Sequence, residues 1–423
     1  MMKEALLLIS FLVILVGVAG AEESPDFSPG NDLKIFYSPF RRKESPSWNQ
    51  MLTEDKSRME FLSSLAVGSS VVRVASGRGV TQNPTYVVRA GIGTPPQTLL
   101  VAVDTGNDAA WIPCSGCDGC SSATFAPSVS STFKPTRCGS PQCALLPKAS
   151  CGGDACRFNV TYGSSDIVAT VAEDTVALAG DSISGYTFGC VKKAAGGSFP
   201  AQGLLGLGRG PLSLISQSTG IYKSTFSYCL PSFKSVSFSG SLRLGPAGQP
   251  KRIKTTPLLR NPRRSSLYYA DLVGIKVGGR IVDIPASALA FNPVSGAGTV
   301  IDSGTVFTTL VQPAYAAVRD EFRRRMGNST AASSLGGFDT CYAAPIVVPT
   351  ITFMFAGMNV TLPQENFIIH STAGRISCLA MAAAGENGIN AGVSVIGSFQ
   401  QQNHRILIDA ANSKLGVARE LCS

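Results

Sequence analysis

The chain has 423 residues, of which 44% are hydrophobic and 15% are charged, and its formal net charge is +9. This length exceeds one small domain, and the hydrophobic content excludes a chain that is disordered throughout. With 44 glycines and 25 prolines, the composition favours short strands and loops over long helices. The positive charge predicts attraction to polyanions, whether nucleic acid, acidic polysaccharide or anionic membrane, without choosing among them.

Residues 1–21 have the pattern of a secretory signal peptide. Lys3 precedes an apolar run over residues 5–18, and Ala19-Gly20-Ala21 offers a small-residue cleavage site. The apolar run is short for a membrane span, so no span is expected after its removal; an uncleaved signal anchor and a plastid transit peptide are the less favoured alternatives.

Residues 22–82 then carry mixed charges without strand periodicity, which indicates a propeptide, with a disordered tail as the alternative.

The cysteine content fits the same secretory route, because thiols in that compartment are oxidised to disulfides. Cys114, Cys117 and Cys120 have the spacing of a metal site, but the two histidines, His370 and His404, lie far away in the sequence, so neither metal nor another cofactor is expected. Seven cysteines fall between residues 114 and 156, and this odd number requires a bridge that leaves the cluster. The cysteines expected to form disulfides are Cys114, Cys117, Cys120, Cys138, Cys143, Cys151, Cys156, Cys190, Cys229, Cys341, Cys378 and Cys422. The sequons at Asn159, Asn328 and Asn359 are candidate glycosylation sites.

From Tyr86 onward, short β-branched and apolar runs alternate with turn residues, which is typical of an all-β fold. One helix is predicted after Pro313, where Tyr315, Val318 and Phe322 share an apolar face. The basic runs Arg41-Arg42-Lys43 and Arg323-Arg324-Arg325 lack interleaved aromatic residues, which favours solvated faces over binding patches.

The chain contains an internal repeat. An apolar run leads to Asp104-Thr105-Gly106-Asn107, and a second one leads to Asp302-Ser303-Gly304-Thr305. Each motif is followed by two apolar residues and a glycine, Leu204-Leu205-Gly206 and Val395-Ile396-Gly397. Matched markers in the same order predict two related lobes.

The repeated aspartates suggest acid–base chemistry. Two carboxylates that meet across a lobe interface resist double ionisation, so the pair shares one proton. One partner can then activate a water molecule while the other protonates a carbonyl oxygen. Gly106 and Gly304 would allow the two turns to pack closely, and the hydroxyls of Thr105 and Ser303 could tie the turns together.

Residues 86–422 resemble the plant branch of the pepsin-like aspartic proteases, a family similar to the nepenthesins. The matching motifs are Asp104-Thr-Gly, Trp111, the cysteine-rich insert, Tyr162-Gly163, both apolar-apolar-Gly markers, Asp302-Ser-Gly-Thr305 and the stretch 395–404. The resemblance implies a bilobal fold with a central active-site cleft, an N-terminal lobe over 83–250 and a C-terminal lobe over 251–423. It also implies a flap in which Tyr162 and Gly163 cover the substrate and Trp111 braces the tyrosine; Gly106, Gly304 and Thr305 would line the substrate site.

Three features depart from the family pattern. Asn107 stands where the first motif usually has serine, so an amide replaces a hydroxyl beside the first aspartate. Tyr162-Gly-Ser-Ser-Asp166 lacks the second glycine that is usual in the flap. The cysteine-rich insert has an odd number of cysteines, and in the second lobe Cys341 is expected to pair with Cys378.

The resemblance implies a secreted endopeptidase with an acid optimum, acting as a monomer on polypeptides in the apoplast or cell wall, with the vacuole as an alternative. Cell-wall polysaccharide is a further candidate partner because of the positive charge. An inactive pepsin-like binding protein is the main rival function, although both Asp-x-Gly motifs are present. A nucleic-acid-binding protease is a second rival, which the secretory leader disfavours, so no nucleic acid is expected.

Overall fold

The computed structural model describes residues 85–120, 123–146, 148–178, 180–197, 202–233, 240–247, 249–385 and 392–422. It also describes Leu52, Asp55 and Phe199, and the backbone of Asp32–Tyr37. The predicted signal peptide, most of the predicted propeptide and the run Arg41-Arg42-Lys43 lie outside the described residues.

Strands dominate the described part of the chain. They are β1 (Asp32–Tyr37), β2 (Tyr86–Ile92), β3 (Gln97–Asp104), β4 (Trp111–Asp118), β5 (Lys134–Pro135), β6 (Ser150–Gly152), β7 (Ala155–Tyr162), β8 (Ser165–Leu178), β9 (Asp181–Ala195), β10 (Leu204–Gly206), β11 (Thr225–Cys229), β12 (Gly240–Leu244), β13 (Lys254–Leu259), β14 (Tyr269–Ala270), β15 (Leu272–Val277), β16 (Arg280–Ile281), β17 (Gly298–Ile301), β18 (Thr308–Leu310), β19 (Cys341–Ala343), β20 (Ile351–Phe355), β21 (Met358–Leu362), β22 (Ile368–His370), β23 (Ile376–Leu379), β24 (Met381–Ala383), β25 (Val393–Ile396), β26 (His404–Asp409) and β27 (Lys414–Arg419).

Between residues 85 and 422, the described helices are short, with one exception. The α-helices are α1 (Pro141–Ala144), α2 (Leu214–Gln217), α3 (Thr219–Tyr222), α4 (Ala286–Leu289), α5 (Gln312–Met326) and α6 (Ser398–Gln401), and 3-10 turns cover Pro127–Val129, Pro262–Arg264 and Gln364–Asn366. The long helix α5 is the one predicted after Pro313, and it buries Tyr315, Val318 and Phe322.

A six-stranded antiparallel sheet joins the two halves of the chain, in the order β1-β12-β11-β26-β27-β13. Its strands β11 and β12 come from the first half, and β13, β26 and β27 come from the second. Strand β1 belongs to the predicted propeptide and also pairs with β2. The sequence pattern does not predict this strand, whose backbone pairs with β12 and β2.

The two halves repeat one topology around the two aspartates. In the first half β10 pairs in parallel with β3, so that Gly206 lies opposite Asp104. In the second half β25 pairs in parallel with β17, so that Ile396 lies opposite Ile301, the residue before Asp302. Each apolar-apolar-Gly marker therefore lies beside the strand that leads to its aspartate. The predicted all-β fold with two related lobes is confirmed.

The glycine of each marker is required by a close backbone crossing. A Cβ atom at Gly206 would lie 2.3 Å from the carbonyl oxygen of Asp108, and one at Gly397 would lie 2.5 Å from that of Val306. Both distances are below any ordinary contact. The chain that leaves each aspartate turn thus passes directly over the marker glycine.

All twelve cysteines form disulfides. The pairs are Cys114–Cys190, Cys117–Cys120, Cys138–Cys151, Cys143–Cys156, Cys229–Cys422 and Cys341–Cys378. The bridge that leaves the cysteine-rich insert joins Cys114 at β4 to Cys190 on β9. The expected pair Cys341–Cys378 is formed between β19 and β23. Because the spaced cysteines of the insert are bonded to cysteine, they are not metal ligands.

The basic run of α5 is neutralised by neighbouring acids. Glu321 accepts from both Arg324 and Arg325, and Arg323 lies 3.5 Å from Asp339. This run is therefore a salt-bridged, solvated helix face, as the sequence predicts. Across the described ranges, no helix combines the length and the hydropathy that crossing a membrane requires.

Candidate active site

Two equivalent turns deliver the two aspartates to one place. Asp104 is the last residue of β3, and Asp302 directly follows β17. Both side chains are fully buried, with 0% exposure. In each turn the glycine of the Asp-Thr/Ser-Gly motif donates to its own aspartate: Gly106 N lies 2.8 Å from Oδ1 of Asp104, and Gly304 N lies 2.9 Å from Oδ1 of Asp302. Each carboxylate is thus fixed by the backbone of its own turn.

Reciprocal hydrogen bonds tie the two turns to each other. The backbone N–H of Ser303 donates to Oγ1 of Thr105 at 2.8 Å, and the N–H of Thr105 donates to Oγ of Ser303 at 3.2 Å. The Thr105 hydroxyl also lies 3.4 Å from Oδ1 of Asp302. Since these bonds join residues almost two hundred positions apart, they determine how the lobes meet.

The contact between the turns leaves no room for a side chain at Gly304. A Cβ atom there would lie 2.4 Å from Oδ1 of Asp104. The carboxylate of Asp104 therefore lies directly against the backbone of the second turn. Two acidic side chains 198 positions apart in sequence are thus held next to each other in a buried setting, where they can share a proton.

The two carboxylates differ in their support. The Thr305 hydroxyl donates to Oδ2 of Asp302 at 2.7 Å. At the equivalent position in the first turn, Asn107 is 6% exposed, and its Nδ2 has no hydrogen-bond partner among the described residues. The Asn107 amide does not make the hydrogen bond that a hydroxyl at this position could donate, so Asp104 has one hydrogen-bond donor fewer on this side than Asp302.

We predict that Asn107→Ser shifts the acid limb of the pH–activity profile to lower pH. A serine hydroxyl can donate to Asp104 as Thr305 does to Asp302, and a hydrogen bond to an ionised carboxylate favours the charged form. The expected shift is about one pH unit, from the strength of such bonds. The control is Asn107→Ala, which removes an amide that donates to no described group and should leave the limb in place. Equal shifts in both variants would contradict this reading.

The predicted flap is a β-hairpin that reaches the first aspartate. Strands β7 and β8 pair up to Tyr162 opposite Ser165, and the turn between them uses Gly163 with φ of +55° at its first central position. A two-residue hairpin turn of this kind needs glycine at that position, so the missing second glycine is no obstacle to the turn. The Tyr162 hydroxyl donates to Oδ2 of Asp104 at 2.8 Å. The hairpin therefore closes over the carboxylate in this structure.

Aromatic packing holds the flap tyrosine in position. The ring centroids of Trp111 and Tyr162 lie 4.5 Å apart at an interplanar angle of 73°, an edge-to-face contact. Phe199 stacks on Trp111 with ring centroids 6.2 Å apart. Trp111 is 1% exposed. The buried indole thus packs directly against the flap tyrosine.

Asp108, which the sequence reasoning did not single out, links the first turn to both lobes. Its Oδ1 accepts from Gly210 N at 2.7 Å, and its Oδ2 accepts a short hydrogen bond from the Ser266 hydroxyl. Burial raises the pKa of this carboxyl above its ordinary value, while the bonds from Ser266 and Gly210 oppose the shift. A Cβ at Gly208 or Gly210 would lie 2.3 Å or 2.0 Å from its carboxylate. The glycines at positions 208 and 210 thus leave room for the Asp108 side chain.

Tyr228 and Gln401 support the second turn from behind and were also missed. The Tyr228 hydroxyl donates to Oε1 of Gln401 at 2.6 Å, and Nε2 of Gln401 donates to the backbone oxygen of Asp302 at 3.0 Å. Burial, and after it the negative charge of Asp302, raise the pKa of Tyr228 well above its ordinary value. The tyrosine therefore stays neutral and acts as a hydrogen-bond donor. No local pattern marks either residue, because they lie 173 positions apart.

The three sequons all lie at the surface. Asn159 on β7, Asn328 after α5 and Asn359 on β21 are exposed, so each is sterically open to a glycan. Their modification remains a prediction, as do the lobe boundaries at residues 82 and 250.

Comparison with known proteins identifies the family. Two family models match, "Xylanase inhibitor N-terminal" over residues 86–246 and "Xylanase inhibitor C-terminal" over residues 267–419. Aspartyl protease 25 of Oryza sativa subsp. japonica is 45% identical over 93% of this chain and 95% of its own length. Aspartyl protease AED3 of Arabidopsis thaliana is 49% identical over 88% of this chain and 85% of its own length. Aspartic proteinase nepenthesin-1 of Nepenthes gracilis is 34% identical over 86% of this chain and 84% of its own length.

Among solved structures, the basic 7S globulin from soybean matches with a TM-score of 0.64 and 20% identity, over 79% of this chain and 93% of that one. At this identity the likeness concerns the fold alone. The fold, the paired aspartate turns and the sequence relatives agree. The chain belongs to the plant branch of the pepsin-like aspartic proteases, which are aspartic-type endopeptidases.

Proposed function

We propose that the protein is a secreted endopeptidase that hydrolyses peptide bonds at acid pH with a water molecule activated between Asp104 and Asp302. The observation that carries the proposal is the reciprocal bonding of the two turns through Thr105 and Ser303, which holds both buried carboxylates side by side. Such a pair keeps one proton between its two members over the acid range.

In the proposed mechanism the ionised aspartate takes a proton from the water, and the resulting oxygen attacks the carbonyl carbon of the scissile bond. The protonated aspartate donates its proton to the carbonyl oxygen. Collapse of the tetrahedral intermediate breaks the C–N bond, and the pair returns a proton to the leaving amine. Thr305 would stabilise the ionised form of Asp302 through its hydroxyl, as Gly106 N and the Tyr162 hydroxyl would for Asp104, and the two carboxylates act as one proton-sharing pair.

Substrate access requires the flap to open. Tyr162 donates to Oδ2 of Asp104, and this hydrogen bond would break as the flap lifts to admit a peptide. After closure, Tyr162 and Gly163 would cover the peptide and exclude bulk water. Gly106, Gly304 and Thr305 would form the floor of the substrate site.

Secretion is proposed from two observations. Residues 1–21 have a signal-peptide pattern, and all twelve cysteines are paired, which requires an oxidising compartment. The proposed destination is the apoplast or cell wall, with the vacuole as the alternative. There the net charge of +9 would favour contact with anionic wall polysaccharide, and the enzyme would act as a monomer on polypeptides after loss of residues 22–82.

The experiment is digestion of a denatured protein by the processed enzyme across pH about 3 to 7, the range in which the pair should share one proton. We expect cleavage that is strongest at the acid end. A statine-type inhibitor should block it, because its hydroxyl takes the place of the attacking water. An absence of cleavage at every pH would instead favour a binding protein, the activity that the family-model descriptions name for xylanase inhibitors.

A further inference from the structure

The N-terminal segment places two side chains in the second lobe. Leu52 and Asp55 are both helical and are buried, at 6% and 2% exposure. Residues three apart on a helix lie on the same face. One face of this segment therefore presents an apolar group and a carboxylate together.

The carboxylate is held by backbone N–H groups. Oδ1 of Asp55 accepts from Val306 N at 2.6 Å, and Oδ2 accepts from Phe307 N at 2.5 Å. Both oxygens are thus used, each by one of two successive amides. A charged acceptor on two buried donors is a strong and geometrically demanding arrangement.

Those two amides belong to the segment that joins the second aspartate turn to β18, which begins at Thr308. In the same segment, the carbonyl oxygens of Thr305 and Val306 accept from Ser398 N and Phe399 N at 2.7 Å and 2.8 Å. The next amide, Thr308 N, donates to Oε1 of Gln400 at 2.9 Å. Asp55 therefore accepts from the amides at positions 306 and 307, directly after the threonine that supports Asp302.

Leu52 contacts the backbone of the second lobe at a separate position. A Cβ atom at Gly337 would lie 2.5 Å from Cδ2 of Leu52, so the leucine side chain rests on bare glycine backbone. The neighbouring Phe338 packs against Phe307 with ring centroids 5.0 Å apart. The contact site of Leu52 and the binding site of the Asp55 carboxylate are thus adjacent in the second lobe.

We propose that the second lobe carries a peptide-binding site for a helical Leu-x-x-Asp segment, whose occupant is this chain's own Leu52–Asp55 face, and that the segment still binds there after it has been cut from the chain. The inference rests on the proposed removal of residues 22–82. It goes further in assigning a receptor: the amides of Val306 and Phe307 for the carboxylate and the Gly337 backbone for the leucine. Occupancy of this site fixes the backbone next to Thr305, and so connects the segment to the second aspartate turn.

The first test measures binding in trans. A fluorescein-labelled peptide of residues 48–60 is titrated into Asp104→Asn protein lacking residues 22–82, removed through an inserted cleavage site, so that the peptide is not digested. Fluorescence anisotropy should show saturable binding, weakened at least about tenfold by Asp55→Asn in the peptide and also weakened by Leu52→Ala. The matched control is Asp55→Glu, which keeps the charge but adds a methylene that the buried site cannot accept. Binding of the Asp55→Glu peptide as tight as that of the parent would mean general attraction to a basic protein and would overturn the proposal, as would no binding at all.

A second test uses the uncut chain and needs neither maturation nor activity. Hydrogen exchange should be at least about tenfold faster at the Val306 and Phe307 amides in Asp55→Ala, with the amide of Val300 on β17 unchanged. Asp154→Asn, which removes an exposed carboxylate, is the control. If Asp55→Ala does not fold, Asp55→Asn keeps one acceptor oxygen and should accelerate exchange at one of the two amides. Unchanged exchange in a folded variant would overturn the proposal even if the protein proved to be an active protease.

Discussion

Asp104→Asn is expected to abolish peptide-bond hydrolysis while the protein stays folded. The asparagine oxygen can still accept from Gly106 N, which now holds Oδ1 at 2.8 Å, so the turn keeps its shape. An amide can neither exchange a proton with Asp302 nor act as a general base toward a water molecule, and loss of acid–base function costs about a hundred- to ten-thousandfold in rate. The measurement is kcat/KM on a fluorogenic peptide at acid pH, together with the melting temperature.

Asp154→Asn is the matched control for this prediction, because it removes the same charge from an exposed position. It should keep its activity. If the full-length chain processes itself, the Asp104→Asn protein should also accumulate uncut. Activity of Asp104→Asn within about tenfold of the parent would remove Asp104 from the proposed mechanism.

Gly304→Ala is expected to have the second largest effect. The added methyl group would lie 2.4 Å from Oδ1 and 2.6 Å from Cγ of Asp104, so the carboxylate must move away from its position beside Asp302. A displacement of this size at a catalytic group costs about a hundredfold in rate. The expected result is a fall in kcat with a modest decrease in melting temperature.

Gly274→Ala provides the comparison. This glycine lies on β15, and a Cβ atom there would meet only Sδ of Met354, at an ordinary 3.6 Å. Its activity should equal that of the parent protein. Should Gly304→Ala be as active as Gly274→Ala, the close approach of the two turns would not be needed for catalysis.

Local pattern was sufficient to locate the two aspartates. Apolar residues in front of each Asp-Thr/Ser-Gly motif indicate a buried strand that ends in a turn, and the parallel pairing of β3 with β10 and of β17 with β25 agrees. Helix α5 was equally accessible, because its apolar face repeats at helical spacing. These features depend on residues that are neighbours in sequence, so they can be predicted without a structure.

Most pairings between residues that are distant in sequence could not be predicted from the sequence. The sequence required that one bridge leave the cysteine-rich insert, but many pairings satisfy that count, and only the arrangement of β4 beside β9 selects Cys190 for Cys114. Strand β1 and the Asp55 contact were not anticipated, because their partners are the backbone of distant strands rather than a recognisable side-chain motif. The same holds for Asp108, whose neighbours Gly210 and Ser266 come from two other segments.

By itself, the sequence determined that the chain has two related β lobes. Each lobe contains a buried strand that ends in an aspartate turn, and this could be predicted because hydrophobic periodicity and repeated motifs are local properties. Only the tertiary structure decided that Thr105 and Ser303 join the turns, that Asn107 leaves its amide nitrogen unpaired among the described residues, and that Asp55 binds the second lobe. The physical reason is that hydrogen-bond partners are selected by how distant segments pack, and many packings are compatible with one local pattern.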